Sequence, residues 1–119
     1  MSNLNNLTRQ EVYDIVKSHL LDQGSKSLME TGDMCAYRGE NGTSCAVGCL
    51  IPDEDFPSQL EGKDIHGLVC SSTLNQKLVS FLRKHMFLLY ELQRIHDNIP
   101  VENWPHELAY LAEAHNLVP

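Results

Sequence analysis

Four cysteines and six histidines in 119 residues are the first place to look for chemistry. Cys35, Cys45, Cys49 and Cys70 are soft ligands, and His66 stands four residues before Cys70, so a zinc site is the first candidate to weigh. Structural zinc usually uses paired cysteines two to four residues apart, often twice, whereas here only Cys45 and Cys49 come near that spacing. Two helical pairs, Cys45 with Cys49 and His66 with Cys70, are the arrangement that would let them converge. A thiol nucleophile is the second possibility. Cys45 in a first helical turn beside His66, His85 or His96 would need its thiolate stabilised, yet Ala46, Val47 and Leu50 surround it with apolar side chains. Buried, inert cysteine is the reading these neighbours favour, with no cofactor and no catalytic residue.

The histidines divide in the same way. His85, His96 and His115 fall on or beside apolar helix faces, where a hydrogen-bonded histidine at the core edge is expected before a metal ligand. His96 and Asp97 resemble an acid/base pair, but consecutive helical residues point about 100° apart, so a polar helix end is expected instead. Asp53, Glu54 and Asp55 lack the alternation of a calcium loop and read as a solvated turn. Phosphate-cradling glycine loops and a Ser, His, Asp order are missing.

Positioning these residues falls to a mainly α fold, α+β at most, in a single domain spanning residues 1–119. Thr8 followed by Glu11 is a capping-box signature, which starts a helix near residues 8 to 23 with Val12, Ile15, Val16 and Leu20 on its core stripe and Gly24 as its stop. Residues 24–33 form a polar connection. Around residues 34–51 a short β-hairpin turning at Asn41-Gly42, or an irregular loop, follows; residues 43–51 are either a return strand or one or two helical turns capped by Ser44. Two prolines and two glycines make 51–72 an ordered loop with at most a turn of helix. The longest helix covers about 73–97, with Leu74, Leu78, Phe81, Leu82, His85, Leu89, Leu92 and His96 along one face and Val79, Met86, Phe87, Leu88 and Tyr90 widening it. A last helix starts around Pro105, its stripe Leu108, Leu111, Ala112 and His115, with Trp104 under its beginning.

Composition limits the function. A net charge of −7, from 9 basic and 16 acidic residues, with one adjacent basic pair at Arg83-Lys84, disfavours direct nucleic-acid binding. The N-terminus lacks a basic start and an apolar h-region, and the most apolar run, Met86 to Leu92, is too short to span a bilayer, so a cytoplasmic protein without membrane contact is expected.

The segments CAYRGENGTSCAVGCLIPDE at 35–54, LEG at 60–62, LQRIHDNIPVENWPHELAYLAEAHNL at 92–117 and IVKSHLLDQGSKS at 15–27 resemble a family of small proteins of tailed bacteriophages and prophages. The resemblance carries no assigned activity and transfers no functional residue. It implies a setting, the cytoplasm of an infected or lysogenic bacterium, and an accessory protein whose partner is a host or phage protein. A non-enzymatic binder that inhibits a host enzyme or defence component is the expectation, with a small metal- or thiol-dependent enzyme built on the cysteines and His66 as the alternative. The recognition surface expected is the turn, Tyr37, Arg38 and Asn41, with Asp53, Glu54 and Asp55, because loops on a rigid scaffold carry recognition and Tyr and Arg are enriched at hot spots. Self-association through Phe87, Leu88 and Tyr90 is a further expectation.

Overall fold

Thr8 closes a reciprocal cap: its hydroxyl accepts the Glu11 N–H at 3.1 Å, and its own N–H donates to the Glu11 carboxylate at 2.9 Å. This cap starts helix α1, Arg9–Gln23, which Gly24 ends in the left-handed region with φ 65°. The structure, a computed structural model, describes residues 6–29 and 35–119. The end of the expected 24–33 connection, and Met34 at the edge of the expected hairpin, lie outside these. Four more helices follow: α2 (Ile65–Val69), α3 (Gln76–Lys84), α4 (Met86–Asn98) and α5 (Trp104–Ala114), so the fold is mainly α. None of the described helices is long and apolar enough to cross a membrane.

One apolar cluster joins them. Val12, Val16 and Leu20 of α1 meet Leu89, Leu92 and Ile95 of α4 and Leu108 and Ala112 of α5 within it. The expected stripe from Leu74 to His96 is buried at every position. Ile15 is an exception to the reading of α1. It is turned outward while Tyr13 is fully buried, because the phenol finds the Leu108 carbonyl at 2.9 Å and draws that side of the helix inward.

Two boundaries differ from expectation. Asn75 caps α3, which therefore starts three residues later than expected, its side chain accepting the Lys77 and Leu78 N–H groups. The single long helix is divided at His85, whose φ of −107° and ψ of 17° leave the helical range. His85 serves both sides of the division: its N–H closes α3 on the Phe81 carbonyl at 3.2 Å, and its carbonyl takes the Leu89 N–H of α4 at 2.9 Å. At the last helix Trp104 is buried as expected, its indole N–H on the Ile99 carbonyl at 2.9 Å.

The hairpin is reduced to two isolated antiparallel bridges, Leu28 with Cys35 and Arg38 with Ser44, around a 3-10 turn at Glu40–Gly42. Asn41 and Gly42 both have positive φ, 61° and 74°, the conformation that this dipeptide favours. Residues 43–51 are neither a strand nor a capped α-helix. They contain one turn closed by the Cys49 N–H on the Cys45 carbonyl at 3.0 Å, running into a 3-10 turn at Gly48–Leu50. Ser44 is not a cap: the Gln23 amide takes both its N–H and its carbonyl at 3.0 Å.

Candidate functional site

A strand at 35–38 would offer its backbone groups to a neighbour; the Ala36 N–H does meet the Ser27 carbonyl at 2.9 Å, but a side chain takes the Tyr37 and Arg38 N–H groups. The Glu61 carboxylate accepts the Tyr37 N–H through one oxygen and the Arg38 N–H through the other, each at 2.8 Å. Arg38 then donates its guanidinium to the carbonyls of Tyr37, Gly48 and Ile51 and pairs with Asp53 at 2.9 Å. The same guanidinium lies over the Phe56 ring, 5.1 Å from its centre. Gly48 fits because a Cβ there would stand 2.6 Å from the Tyr37 carbonyl oxygen. The turn from 35 to 61 is therefore held by charge-assisted hydrogen bonds, the stronger kind, instead of a ladder.

This corrects the expected exposure of Tyr37 and Arg38 on the recognition surface. Tyr37 is buried, with its hydroxyl on the Lys63 carbonyl, and burial pushes its phenol well above the ordinary range. Arg38 is half-buried and spent on the backbone. Asn41, Asp53 and Glu54 are exposed and Asp55 is half-buried. The adjoining groove of about 700 Å³, lined by Arg38, Ser44, Cys49, Phe56 and Glu61 among others, presents charged groups that are already satisfied.

The five residues of the alternative zinc set do not converge. Cys70 and His66 are exposed on and beside α2, whereas Cys45 is in the core with its sulfur accepting the Gly48 N–H at 3.3 Å, and Cys49 donates its thiol to the Ala46 carbonyl at 3.1 Å. Burial pushes both of these thiols up to about 12, the opposite of what a nucleophile needs.

A different group does form. Cys35, His96 and Asp97 bring a sulfur, an imidazole nitrogen and a carboxylate oxygen within 4.8 Å of one another beside a cavity of about 330 Å³. The hydrogen bonds within it decide what it can do. His96 is fully buried, and its Nε2 faces the Ser27 backbone N–H at 2.9 Å. A backbone N–H only donates, so Nε2 is the acceptor and the one proton of the neutral ring is on Nδ1, aimed at the Asp97 Oδ1 at 2.8 Å. Both nitrogens are committed. A cation at Nδ1 would need the proton moved to Nε2, where it would meet the Ser27 N–H donor to donor. The expectation that His96 and Asp97 diverge on the helix is overturned, because Ser27 fixes the ring with Nδ1, its nitrogen nearest the backbone, against the next residue's carboxylate.

Asp97 collects further donors. Gln93 reaches it at 2.8 Å while its own carbonyl takes the Val47 N–H at 3.0 Å, and the Cys35 thiol donates to the same carboxylate. Burial alone would raise the Asp97 carboxyl; the bonds from His96, Gln93 and Cys35 outweigh it and hold it below the ordinary value. Burial and the facing carboxylate push Cys35 up to about 11, so its proton stays on sulfur. Lys26 completes the set on the Asp97 backbone carbonyl at 3.1 Å. The cluster ties the C-terminal end of α4 to the 25–29 and 45–50 segments.

His115 is committed in the same manner. Arg9 donates to its Nδ1 at 2.8 Å, so Nε2 carries the proton and gives it to Glu91 at 2.6 Å. His85 is the one buried histidine whose ring nitrogens lack a hydrogen-bond partner among the described residues, contrary to the expected hydrogen-bonded state; it rests against Phe81, ring centres 5.0 Å apart. The sequence contained no signal for the Ser27 contact, which joins residues 69 positions apart.

Three aromatic side chains stand outside the core, alongside the aliphatic Ile15, Leu21 and Val118. Phe87 is 83% exposed, Tyr90 51% and Tyr110 67%, while Leu88, expected beside the first two on the surface, is buried. Comparison of the chain with protein-family models, with curated proteins and with solved structures finds no match.

Proposed function

We propose that this protein acts by holding another protein and carries out no chemistry of its own. The observation that supports this reading is the contrast between its two kinds of residue. Groups suited to catalysis are committed to hydrogen bonds, as at His96 and Asp97, or keep their protons, as at Cys35, Cys45 and Cys49. Large aromatic side chains of the kind that anchor interfaces stand in solvent at Phe87 and Tyr90. The setting proposed is the one the sequence resemblance implies, an accessory protein in the cytoplasm of a bacteriophage's host, whose partner is a host enzyme or defence component that it inhibits, or another phage protein.

Affinity capture from a bacterial lysate with the wild type and a Phe87→Ser/Tyr90→Ser variant, both checked for unchanged melting, tests the reading. The expected result is a stoichiometric partner present with the wild type and absent with the variant. Equal recovery would remove this face from the interface, and a wild type that retains no protein would remove the binding reading itself.

A further inference from the structure

Phe87, Tyr90 and Arg94 are spaced by three and four residues on α4, which puts them within an arc of about 60°. Arg83 stands four residues before Phe87, near the end of α3 and across the division at His85. All four are exposed, and Lys84 is exposed beside Arg83. Arg83 spends one donor on the Val69 carbonyl at 2.9 Å, leaving the rest of its guanidinium in solvent. Among the described residues Lys84 and Arg94 form no ion pair. Glu91, the one carboxylate between residues 83 and 94, is turned to His115. A chain of net charge −7 thus carries a stripe whose free charges are cations, placed at both ends of an exposed aromatic pair.

We propose that this stripe, taken as the binding face in the reading above on which the inference rests, receives an acidic amphipathic protein segment. Apolar side chains of that segment lie on Phe87 and Tyr90, and its carboxylates meet Arg83 and Lys84 at one end and Arg94 at the other. Charge complementarity of this kind fixes register and partner choice. Other occupants fit less well. A second copy laid antiparallel on the same stripe would set Arg94 against Arg83, like charge on like. Nucleic acid would find three cations, too few to release many counterions, and no use for the aromatic pair between them. The acidic remainder of the molecule repels an extended anionic surface, whereas a short segment stays within a Debye length, about 8 Å, of the cations.

The test is a titration of ¹⁵N-labelled protein with a short helical peptide bearing central leucines and glutamates at both ends, and with its counterpart carrying lysines in place of the glutamates. A DNA duplex and phosphatidylglycerol vesicles form the further arms. Support would be amide shifts confined to residues 83–94 with the glutamate peptide, at least tenfold weaker with the lysine peptide, with Arg94→Glu and with Phe87→Ser, both variants melting as the wild type does. If both peptides bind equally and only Phe87→Ser weakens them, the acidic preference is overturned while the protein-binding reading stands. If neither peptide moves these amides, the stripe is not a docking face. Tighter binding of DNA or vesicles there would replace the partner class, and concentration-dependent shifts without any probe would identify the occupant as a second copy; either overturns the proposal.

Discussion

The Nε2 of His96 accepts the backbone N–H of Ser27 at 2.9 Å, in a site with no exposure to solvent. That contact fixes the tautomer, and the tautomer turns what resembles a catalytic dyad or a ligand set into a structural staple. His96→Ala should cost about 3 kcal/mol, because it opens a cavity and strips a buried N–H and a carboxylate of their partner. Denaturant midpoints measure this, and a loss below about 1 kcal/mol would contradict the role. Nitrogen-15 spectra of the imidazole should show the proton on Nδ1.

Glu61 plays the part that a neighbouring strand plays elsewhere. Glu61→Gln keeps one acceptor and removes both the charge and the second, so a loss of about 2 kcal/mol is expected. The Tyr37 and Arg38 amide protons should move upfield together. A change at only one of them would mean that the bidentate arrangement is wrong.

Two glycines separate crowding from backbone conformation. Gly48→Ala places a methyl group 2.6 Å from a backbone oxygen, and the 35–51 turn must shift, at about 2 kcal/mol or more. Gly62 has φ +87° and open space around it, so Gly62→Ala should cost only about 1 kcal/mol. Comparable melting of the two variants would argue against the close approach at Gly48.

Acid should act through His85. Burial, with Lys84 and Arg9 adding to it, holds this imidazole below its ordinary value of 6.5. With a depressed folded value, the unfolded chain takes up the proton first, so the contribution of His85 is complete above 6.5 and is lost as the pH falls through the folded value. Asp97, depressed from 3.8, adds a second loss below that pH. Unfolding free energies across this range should fall in two stages, and His85→Met should flatten the upper one. An unchanged slope in that variant would assign the acid sensitivity elsewhere.

Thiol accessibility follows burial. At pH 8 a thiol whose pKa is about 12 is thiolate in about one molecule in ten thousand, so Cys45 and Cys49 should react with an aromatic disulfide reagent only as the chain opens. Cys70, exposed after α2, should supply the single fast phase, and Cys70→Ser should abolish it. A second fast cysteine would place one of the buried sulfurs wrongly.

The helices were legible because local signals and the core pattern agree. Thr8 with Glu11, Gly24, and the Leu74 to His96 stripe each pointed to the element that forms. The 35–61 turn was not, since Glu61, Gln23 and Gln93 satisfy its backbone from 21 to 46 residues away and alternation in sequence does not register such partners. Tyr37 and Arg38 were read as exposed for the same reason. The stripe on α3 and α4 lay between these cases: its residues were visible, but only the burial of Leu88 beside Phe87 and Tyr90 shows which of them face outward.

Because carboxylate, amide and imidazole groups take the backbone N–H groups of residues 27, 37, 38, 44 and 47, the hydrogen-exchange protection of those amides is tied to rotamers of distant side chains. The amides of Ser27, Tyr37, Arg38, Ser44 and Val47 each report on one such group. Deuterium uptake at these five sites would therefore read out the loosening of individual side chains, one probe apiece, before any helix begins to fray.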